Sequence, residues 1–463
     1  MIDLNYLKKF IYDLREIVNN MELEIYLVGG YVRDKLMNIK AEPKDADFVI
    51  KGDIHQFIKE IGKKGYRFFT IKESVGIYRC VLGENTIDIS SMRGNSIEED
   101  LRTRDFTVNA IAMRVIHNKI FDPFYGRRAL KSRILKSVSD KSLEEDPVRI
   151  LRGIRFYIKC GMHFNLETEK QIEKISDKIM ESPKERICRE IMLIIKEDQL
   201  GIAFETMDNY GILKNIIPYI DELKTIGKCK YHMEDVFTHM NLTYGVFKDI
   251  LRDKIKLRNL DLSIFDCRIG EFSLKEYLSL ACFLHDIGKY EAYKKENNKI
   301  SFHGHDIKGA SICKAFCDNL KFPKRAEKYI ESIVKGHMYP LGLFKNEAFN
   351  SKKATYKFFY NYGICAIGIL TTAFCDNYAT RMNLDRQNEK ERFKIFIEYM
   401  LKEYKLYCKM KEDRLLNGED VVKILGQEGP VVKIALEDIH RLRYLGKINN
   451  RREAIDYLKS QPF

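Results

Sequence analysis

Hydrophobic residues recur with two different periods along the chain. In the first 140 residues, short apolar runs alternate with amphipathic stretches, which is typical of a unit that mixes strands and helices. Residues 3–20 carry an apolar stripe at helical spacing, formed by Leu4, Leu7, Ile11, Leu14 and Val18. Strands are predicted at 25–28, 45–50, 66–71, 77–82 and 86–90, with a helix near 55–63. The N-terminal part therefore predicts a small α/β unit built on a sheet.

From Glu144 onward the pattern becomes helical and stays so. Acidic residues at 144–146 followed by Pro147 are expected at the start of a helix. Asp146, Arg149 and Arg152 then follow at i, i+3 and i+6, so they drift slowly along one face. Such a row is either a surface ion-pair ladder or an acceptor with bidentate donors that can read the edge of a base. Arg186 and Glu190, at i and i+4 on a later helix, have the spacing of a salt bridge.

The stretch from Tyr26 to Ile50 combines two features of a phosphate and metal site. The apolar run ends at Gly29 and Gly30 just before a predicted helix, where free backbone N–H groups and the helix dipole favour phosphate. Asp45 and Asp47 lie at i and i+2 on a predicted strand, so their carboxylates point to one face. Hard cations such as Mg²⁺ prefer oxygen ligands of this kind. Phosphate and metal are thus predicted in one small region.

Two further segments carry candidate chemistry. Asp88 alternates with apolar neighbours, so it is expected on the strand face opposite to theirs, either as a third carboxylate for the metal or as a solvated strand residue. Arg102 and Arg104 beside Asp105 supply guanidinium groups suited to phosphate. Asn109 lies in the apolar segment that follows, where an unpaired polar residue is costly to bury.

Composition favours an anionic partner. The 463 residues include 80 Lys and Arg against 67 Asp and Glu, a formal net charge of +13, although net charge bears on association and not on fold. The eleven cysteines are odd in number and scattered, which is typical of reduced thiols. The sequence shows no signal-like N-terminus and no apolar run near the ~18 residues of a membrane span. A cytoplasmic protein with no membrane partner is therefore expected.

The motifs together resemble a known family, the bacterial class II tRNA nucleotidyltransferases or CCA-adding enzymes, and their relatives the bacterial poly(A) polymerases. The resemblance covers the first 220 or so residues well and continues more loosely to the end. The motifs that carry it are LVGGYVRD at 27–34 with DAD at 45–47, RTRDFTVNAIA at 102–112, DPFYGRRALKSRIL at 122–135, EEDPVRILRGIRF at 144–156 and PKERICREI at 183–191.

The resemblance implies a role for each matching residue. Asp45 and Asp47, with Asp88 as a third carboxylate, would hold two Mg²⁺ ions for phosphoryl transfer. Contacts to the incoming nucleotide are implied for Gly29, Gly30, Arg33, Asp34, Arg104, Asp105 and Asn109. The row of Asp146, Arg149 and Arg152 would select CTP or ATP by hydrogen bonds that resemble base pairing, which favours the base-reading interpretation over an ion-pair ladder. The implied enzyme adds CCA to the 3′ end of tRNA.

One departure from the family pattern affects the predicted product. In the family, a flexible loop of a dozen or more residues lies between the strand of the third carboxylate and the stretch that contains Arg104. Here residues 89–97 bridge that interval almost directly, and Thr103 replaces the first Arg of the usual pair. In the family, loss of this loop accompanies addition of CC without the final A. A CC-adding enzyme and a poly(A) polymerase therefore stay open as alternatives.

The second half contains most of the histidines. Six of the ten lie between residues 232 and 337. The region resembles an HD hydrolase domain in the order of His239, His285, Asp286, His303, His305, His337 and Asp376. Imidazole and carboxylate ligands together suit a transition-metal ion such as Mn, Ni, Co or Fe, with room for an activated water. Direct metal ligands are expected at His239, His285, Asp286 and Asp376, with His305 and His337 in a second metal site or as phosphate contacts.

The predicted fold class is α+β, with a polymerase-β-type sheet domain followed by helices. The expected domains are a catalytic head at 1–140, a helical neck with the base-selecting helix at 141–228, an HD-type helical domain at 229–408 and a basic helical tail for tRNA at 409–463. A different interpretation is an HD phosphohydrolase whose N-terminal module only binds nucleotide or RNA. The sequence leaves the oligomeric state open.

Overall fold

A computed structural model describes residues 4–19, 21, 23–38, 45–72, 76–83, 85–226, 234–297, 299–347, 351–383, 385 and 388–461. The chain forms two compact units, Met1–Glu190 with Asn209–Asn215, and Ile191–Asp208 with Ile216–Phe463. His232, one of the six clustered histidines in the sequence, lies outside the described residues.

The first unit contains the sheet. Its elements, the last of which continues into the second unit, are α1 (Leu4–Asn19), β1 (Glu24–Val28), α2 (Gly30–Leu36), β2 (Asp45–Lys51), α3 (Ile54–Lys63), β3 (Phe68–Lys72), β4 (Ile77–Leu82), β5 (Asn85–Ser91), α4 (Ile97–Arg102), β6 (Ala112–Arg114), β7 (Ile120–Phe121), α5 (Gly126–Ser132), β8 (Ile134–Leu135), α6 (Ser142–Glu145), α7 (Val148–Cys160), β9 (His163–Phe164), α8 (Leu166–Ile175) and α9 (Lys184–Glu197). The predicted α+β class and all five predicted strands are confirmed, with ends that differ by at most two residues.

The sheet has seven strands in the order β3-β4-β5-β2-β1-β6-β7. β2 and β5 run parallel, and the other neighbours run antiparallel. On one face Phe10 of α1 packs edge-on against Phe48 and Tyr66. On the other face Val49 packs in a cluster with Ile97 and Leu101. This second face is the one from which Asp45 and Asp47 project, because alternate residues of a strand share a face.

The helix predicted from Glu144 is interrupted. α6 ends at Glu145, α7 begins at Val148, and Asp146 between them has an extended φ of −150° and ψ of 85°. The reason is Pro147, because a proline disfavours helical geometry in the residue before it. Asp146 therefore does not share a helix with Arg149 and Arg152, contrary to the predicted helical row.

Among its described residues, the second unit is helical apart from two short hairpins. Its elements are α10 (Ala203–Asn209) and α11 (Leu213–Ile216), which both cross the unit boundary, α12 (Ile220–Leu223), α13 (Val236–Leu251), β10 (Arg268–Ile269), β11 (Phe272–Ser273), α14 (Leu274–Leu284), α15 (Lys289–Ala292), β12 (Lys294–Glu296), β13 (Lys299–Ser301), α16 (His305–Asn319), α17 (Lys324–Gly336), α18 (Met338–Lys345), α19 (Lys352–Tyr362), α20 (Cys365–Asn383), α21 (Glu389–Glu412), α22 (Gly418–Leu425), α23 (Pro430–Tyr444) and α24 (Arg451–Ser460). Helices α13, α14, α17 and α20 pack against one another. The last three helices share a small core that includes Val421, Ile439 and Leu458.

Within the described part of the chain, no single helix is long and apolar enough to cross a membrane. One pair of consecutive helices, Lys352–Tyr362 and Cys365–Met382, is together long and apolar enough for a membrane span, but the two helices are bent by 110° at the break between them. The ten cysteines among the described residues are free thiols.

Candidate active sites

Three carboxylates lie at neighbouring positions on one face of the paired strands β2 and β5. The register pairs Asp47 directly with Asp88, and Asp45 lies two residues before Asp47 on the same face. Burial raises the pKa of Asp47, and the nearby carboxylates of Asp88 and Asp45 raise it further, against the opposing effect of Arg104. Carboxylate oxygens are the ligands that Mg²⁺ prefers, but among the described residues these three are not one of the groups with metal-ligand spacing, and Arg79 holds both oxygens of Asp88.

The glycine pair brings backbone close to these carboxylates. Gly29 has a φ of 70°, which favours glycine, and α2 begins at the next residue, Gly30. A Cβ atom at Gly29 would lie 3.4 Å from Asp47 Oδ2 and 3.3 Å from a guanidinium nitrogen of Arg104. The start of α2, the carboxylate and the guanidinium therefore adjoin one another, as expected for a phosphate seat beside a metal site.

Asp105 is the centre of a second network. Its side chain accepts hydrogen bonds from Asn109 Nδ2 at 2.9 Å and Arg152 Nε at 2.8 Å. Arg33 donates to Asn109 Oδ1 at 2.7 Å and pairs with Asp34. Burial opposes ionisation of Asp105, but Arg152 and the hydrogen bonds from Asn109 and the Phe106 N–H lower its pKa to about 2. Five residues that were predicted separately thus form one charged network.

The predicted base-selecting residues have partners of their own in this structure. Arg149 donates to the backbone carbonyls of Thr103 at 2.7 Å and Ser142 at 3.0 Å, and to Ser142 Oγ at 2.9 Å. Asp146 accepts two hydrogen bonds from Arg186, at 3.0 and 2.7 Å. Arg149 therefore holds the segment that carries Arg104 and Asp105, while Asp146 is paired with a residue 40 positions away.

The i,i+4 salt bridge predicted between Arg186 and Glu190 is not formed. Arg186 binds Asp146, and Glu190 accepts a hydrogen bond of 2.9 Å from Arg155 Nε. Both carboxylates reach these arginines because α7 and α9 come together in the folded unit. Local spacing alone could not choose between the two partners.

Sequence reasoning missed Arg79 and Ser142. Arg79 on β4 donates to both carboxylate oxygens of Asp88, at 2.8 and 2.7 Å. Ser142 is buried, and its hydroxyl oxygen lies 3.0 Å from the carbonyl oxygens of Arg104 and Asp105. Alternation along β4 places Arg79 on a strand face, but only the strand register shows which residue it faces.

The second unit brings all six predicted HD-site residues into one cluster. Asp286 is central, since one of its oxygens lies 3.2 Å from His285 Nε2 and the other lies 3.2 Å from His305 Nε2. His239 Nε2 lies 2.9 Å from an Asp376 oxygen, and His305 Nε2 lies 3.2 Å from His337 Nε2. Two overlapping groups have metal-ligand spacing: His239, His285 and Asp286, and Asp286, His305 and His337.

Backbone carbonyls orient three of these imidazoles. The Nδ1 atoms of His285, His305 and His337 lie 2.9, 2.9 and 2.6 Å from the carbonyl oxygens of Cys282, Phe302 and Val334. These contacts direct each Nε2 into the cluster, the arrangement typical of metal-binding histidines. His285 Nε2 is buried without a hydrogen-bond partner. The donor set and this unsatisfied nitrogen both fit a metal ion.

Electrostatics in the HD cluster favours charged carboxylates. The pKa of Asp286 is well below its usual range, because His285 and Lys289 outweigh the effect of burial. Burial, together with His305 and His285, lowers the pKa of His337 to about 3. Against the opposing effect of burial, the carboxylates of Asp376 and Glu234 raise the pKa of His239 to about 9. A metal ion bound here must therefore displace a proton from His239, because a ligating imidazole is neutral.

A cavity of about 490 Å³ opens onto the HD cluster. Asp286, His305 and Asp376 line it together with Lys289 and Arg381. His303 lines the wall of this cavity and is absent from the two ligand groups. The lining also contains Asp306 and Glu389, and both cations are ion-paired, Lys289 with Asp286 at 2.5 Å and Arg381 with Glu389 at 2.8 Å. Metal-binding groups beside these cations suit an anionic ligand.

Comparison with known proteins adds three domain matches. Residues 25–136 match a Poly A polymerase head domain, residues 161–224 match a probable RNA and SrmB-binding site of polymerase A, and residues 260–352 match an HD domain. The sheet and the three carboxylates lie within the first match, and His285 to His337 lie within the third.

Curated relatives align along nearly the whole chain. An A-adding tRNA nucleotidyltransferase of Deinococcus radiodurans is 28% identical over 92% of this chain and 93% of its own length. A CC-adding tRNA nucleotidyltransferase of Thermus thermophilus is 25% identical over 94% and 93%. A multifunctional CCA protein of Pseudoalteromonas atlantica is 29% identical over 70% and 78%.

Solved structures share the fold. A CCA-adding enzyme in complex with ATP superposes with a TM-score of 0.67 at 20% identity, covering 99% of this chain and 95% of that one. The Thermotoga maritima CCA-adding enzyme in complex with tRNA has a TM-score of 0.64 at 20% identity, with the same coverage. The motifs, the domain matches and the relatives agree: the chain is similar to tRNA nucleotidyltransferases and poly(A) polymerases, and its helical part matches an HD domain.

Proposed function

We propose that this enzyme adds CCA to the 3′ end of tRNA, using CTP and ATP. The observation that carries the proposal is the single site in which Asp45, Asp47 and Asp88 adjoin the start of α2 and Arg104. A-adding and CC-adding relatives that align over more than nine tenths of the chain support a tRNA substrate. The net charge of +13 suits a polyanionic partner.

The carboxylates and the Asp105 network have separate tasks in this proposal. Asp45, Asp47 and Asp88 would hold two Mg²⁺ ions, which when bound supply charge stabilisation for transfer at the α-phosphate. Gly30 at the start of α2 and Arg104 bind the triphosphate. The buried Asp105, paired with the partly exposed Arg152, fixes Asn109, and Asn109 in turn fixes Arg33. Catalysis then depends mainly on positioning and on charge.

Selection of the base is assigned to Asp146 and Arg149, with Arg152 beside them. A carboxylate and a guanidinium offer the acceptor and the donors needed to read the hydrogen-bonding edge of cytosine or adenine. Both residues must change partners to do so, since Arg186 occupies both oxygens of Asp146 and the two terminal nitrogens of Arg149 donate to Ser142 and Thr103. This exchange makes Arg186 a competitor of the incoming base.

A specific observation favours CC addition as the second candidate. Only residues 92–96 separate β5 from α4, and this connection is held by its own hydrogen bonds. The Arg93 N–H donates to Asp100 Oδ1 at 3.0 Å, and the Asn95 N–H donates to Glu99 Oε2 at 2.8 Å. A short connection held by such hydrogen bonds cannot act as the long flexible loop that accompanies A addition in the family that this chain resembles.

The experiment uses a tRNA transcript that ends before CCA, with CTP and ATP together and singly, in Mg²⁺. Growth by three nucleotides supports CCA addition, and two cytidines followed by a stop support CC addition. A long A tail would make the enzyme a poly(A) polymerase. No extension of this transcript, or of a second transcript that already ends in CC, with any nucleotide mixture would refute the transferase proposal and leave an HD phosphohydrolase with an RNA-binding module.

We further propose that the HD cluster is a phosphohydrolase site that holds a transition-metal ion. The observation behind it is the convergence of four histidines and two carboxylates at the end of a cavity with Lys289 and Arg381 in its wall. Metal content of the purified protein, measured by mass spectrometry, tests the ligand set without reference to activity. Hydrolysis of a chromogenic phosphodiester and a phosphomonoester with Mn, Ni, Co or Fe tests the reaction. Absence of bound metal after loading would refute both.

A further inference from the structure

The open part of the catalytic sheet face carries an unusual row of residues. Direct pairing links Asp47 to Asp88, Asp88 to Arg79 and Arg79 to Phe69 across β2, β5, β4 and β3. Directly paired residues of neighbouring strands project to the same face of a sheet. Phe69 and Arg79 therefore lie on the face of the catalytic carboxylates and not on the face covered by α1.

This end of the face is apolar and exposed. Phe69 has 61% of its surface exposed, and Val81, two residues beyond Arg79 on β4, has 55%. Phe68, which points the other way, packs with Phe10 of α1, with ring centroids 6.4 Å apart. An exposed aromatic ring beside a charged catalytic row indicates a binding surface more than a folding requirement.

We propose that Phe69, Arg79 and Val81 form a platform that binds the last nucleotides of the RNA to be extended. The base before the 3′-terminal nucleotide stacks on Phe69, and Arg79 binds the adjacent phosphate. This inference rests on the proposed transferase function. The platform defines where the RNA end binds, a position that the carboxylates and the Asp105 network do not define.

Distance decides which nucleotide reaches Phe69. Strands in a sheet lie about 4.8 Å apart, so three strand spacings separate Phe69 from Asp47 by about 14 Å. The reacting 3′-hydroxyl must lie at the carboxylates, and its own base cannot extend that far. The base of the preceding nucleotide can reach Phe69, and the phosphate next to it then lies over β4, beside Arg79.

The chemistry of the platform suits RNA. Aromatic rings bind bases of any sequence through their π faces, as is common for single-stranded nucleic acid. Arg79 has 46% of its side chain exposed while it holds Asp88 by two hydrogen bonds. A planar guanidinium with an exposed edge can bind a phosphate oxygen. Val81 extends the apolar surface next to it.

The test uses an RNA hairpin with an unpaired 3′ end and 2-aminopurine, a base whose fluorescence falls on stacking, at the penultimate position. Wild type, Phe69→Ala, Arg79→Gln and Tyr12→Ala are titrated without nucleotide. Tyr12 on α1 is 69% exposed and serves as a matched aromatic control. Wild type and Tyr12→Ala should quench the probe. Phe69→Ala should lose the quenching and weaken binding about 5- to 150-fold, the effect of losing one stacked base.

Arg79→Gln tests the phosphate contact separately. The slope of log affinity against log salt concentration should fall by about one for this variant and stay unchanged for Phe69→Ala. In extension assays, Phe69→Ala should raise the KM for RNA and leave the KM for CTP near the wild-type value. This split distinguishes a platform from a general loss of folding.

Three results would overturn the platform. Equal quenching by wild type, Phe69→Ala and Tyr12→Ala would place the penultimate base elsewhere, while normal extension by wild type would keep the transferase function intact. An unchanged salt slope in Arg79→Gln would remove the phosphate contact. Loss of a wild-type dimer in Phe69→Ala, seen by analytical ultracentrifugation without a change in quenching, would make the patch a contact between two copies of the chain.

Discussion

Replacing Asp105 by asparagine should destabilise the first unit and misalign the nucleotide site. Asp105 is 5% exposed and accepts hydrogen bonds from Arg152, Asn109 and the Phe106 N–H. An asparagine keeps the shape but turns an NH₂ donor toward one of these donors. Arg152, whose side chain is 37% exposed, then loses its counter-charge, and the cost is smaller than for a fully buried ion pair because water still reaches the guanidinium.

The magnitude follows from the pKa of Asp105. A folded-state pKa of about 2, against an ordinary value of 3.8, corresponds to about 2 kcal/mol of stability. Because the pKa is lowered by folding, this stability is fully present above about pH 5 and is lost as the pH falls through 2. About half of it should remain at pH 3. Asp105→Asn should therefore lose about 2 kcal/mol at pH 7 and clearly less at pH 3.

The chain contains no tryptophan, so a single reporter can be introduced into the first unit. Phe121 packs edge-on against Tyr26, with ring centroids 5.5 Å apart, and Phe121→Trp would report on the sheet. Urea unfolding of this background is compared with the same background carrying Asp105→Asn, at both pH values. Asp140→Asn, at an exposed aspartate, is the matched control and should change stability by less than about 0.5 kcal/mol.

If Asp105→Asn lost as much stability at pH 3 as at pH 7, the charged network would be contradicted. A contribution that did not depend on the charge of Asp105 would be the same at both pH values. A loss no larger than that of Asp140→Asn would show that Arg152 does not depend on Asp105. Nucleotide affinity offers an independent check, since the network also fixes Asn109 and Arg33. The KM for CTP should rise in Asp105→Asn more than the KM for RNA.

Three further predictions follow from the two sites. Asp47→Ala should reduce nucleotide addition roughly a thousandfold or more, because several kcal/mol of charge stabilisation are lost with the metal ligand; filter binding should show unchanged RNA affinity, and retained addition would contradict the assignment. His285→Ala with Asp286→Ala should abolish metal retention and phosphodiesterase activity at unchanged addition, and a collapse of addition would reveal coupling between the sites. Ser142→Ala should cost about 1 to 3 kcal/mol of stability, because the buried carbonyls of Arg104 and Asp105 lose the hydroxyl that donates to them. The same change should raise the KM for CTP. Unchanged stability in urea unfolding would exclude this positioning role.

The local sequence pattern was enough to predict the strands and helices of the first unit and many of the candidate site residues. Alternation predicted the strands, and i, i+2 spacing put Asp45 and Asp47 on one face. The motifs carried the resemblance to a family, and the order of the histidines predicted which side chains could share a metal. The predictions of strands and of a shared carboxylate face hold because strand and helix periods are properties of neighbouring residues, whereas the metal-binding set was implied by the resemblance to an HD domain.

Pairing between distant residues was decided by the tertiary structure. The sequence could place Arg79 and Asp88 on strands, but only the register of β4 and β5 joins them. Arg186 has Glu190 at i+4 on its own helix, yet it pairs with Asp146. Asp146 itself lies outside the helix that its spacing predicted, because Pro147 follows it. His239 reaches Asp376, 137 residues away, through helix packing. Such contacts depend on which elements fold against each other, and that choice is made by the whole core rather than by any local stretch.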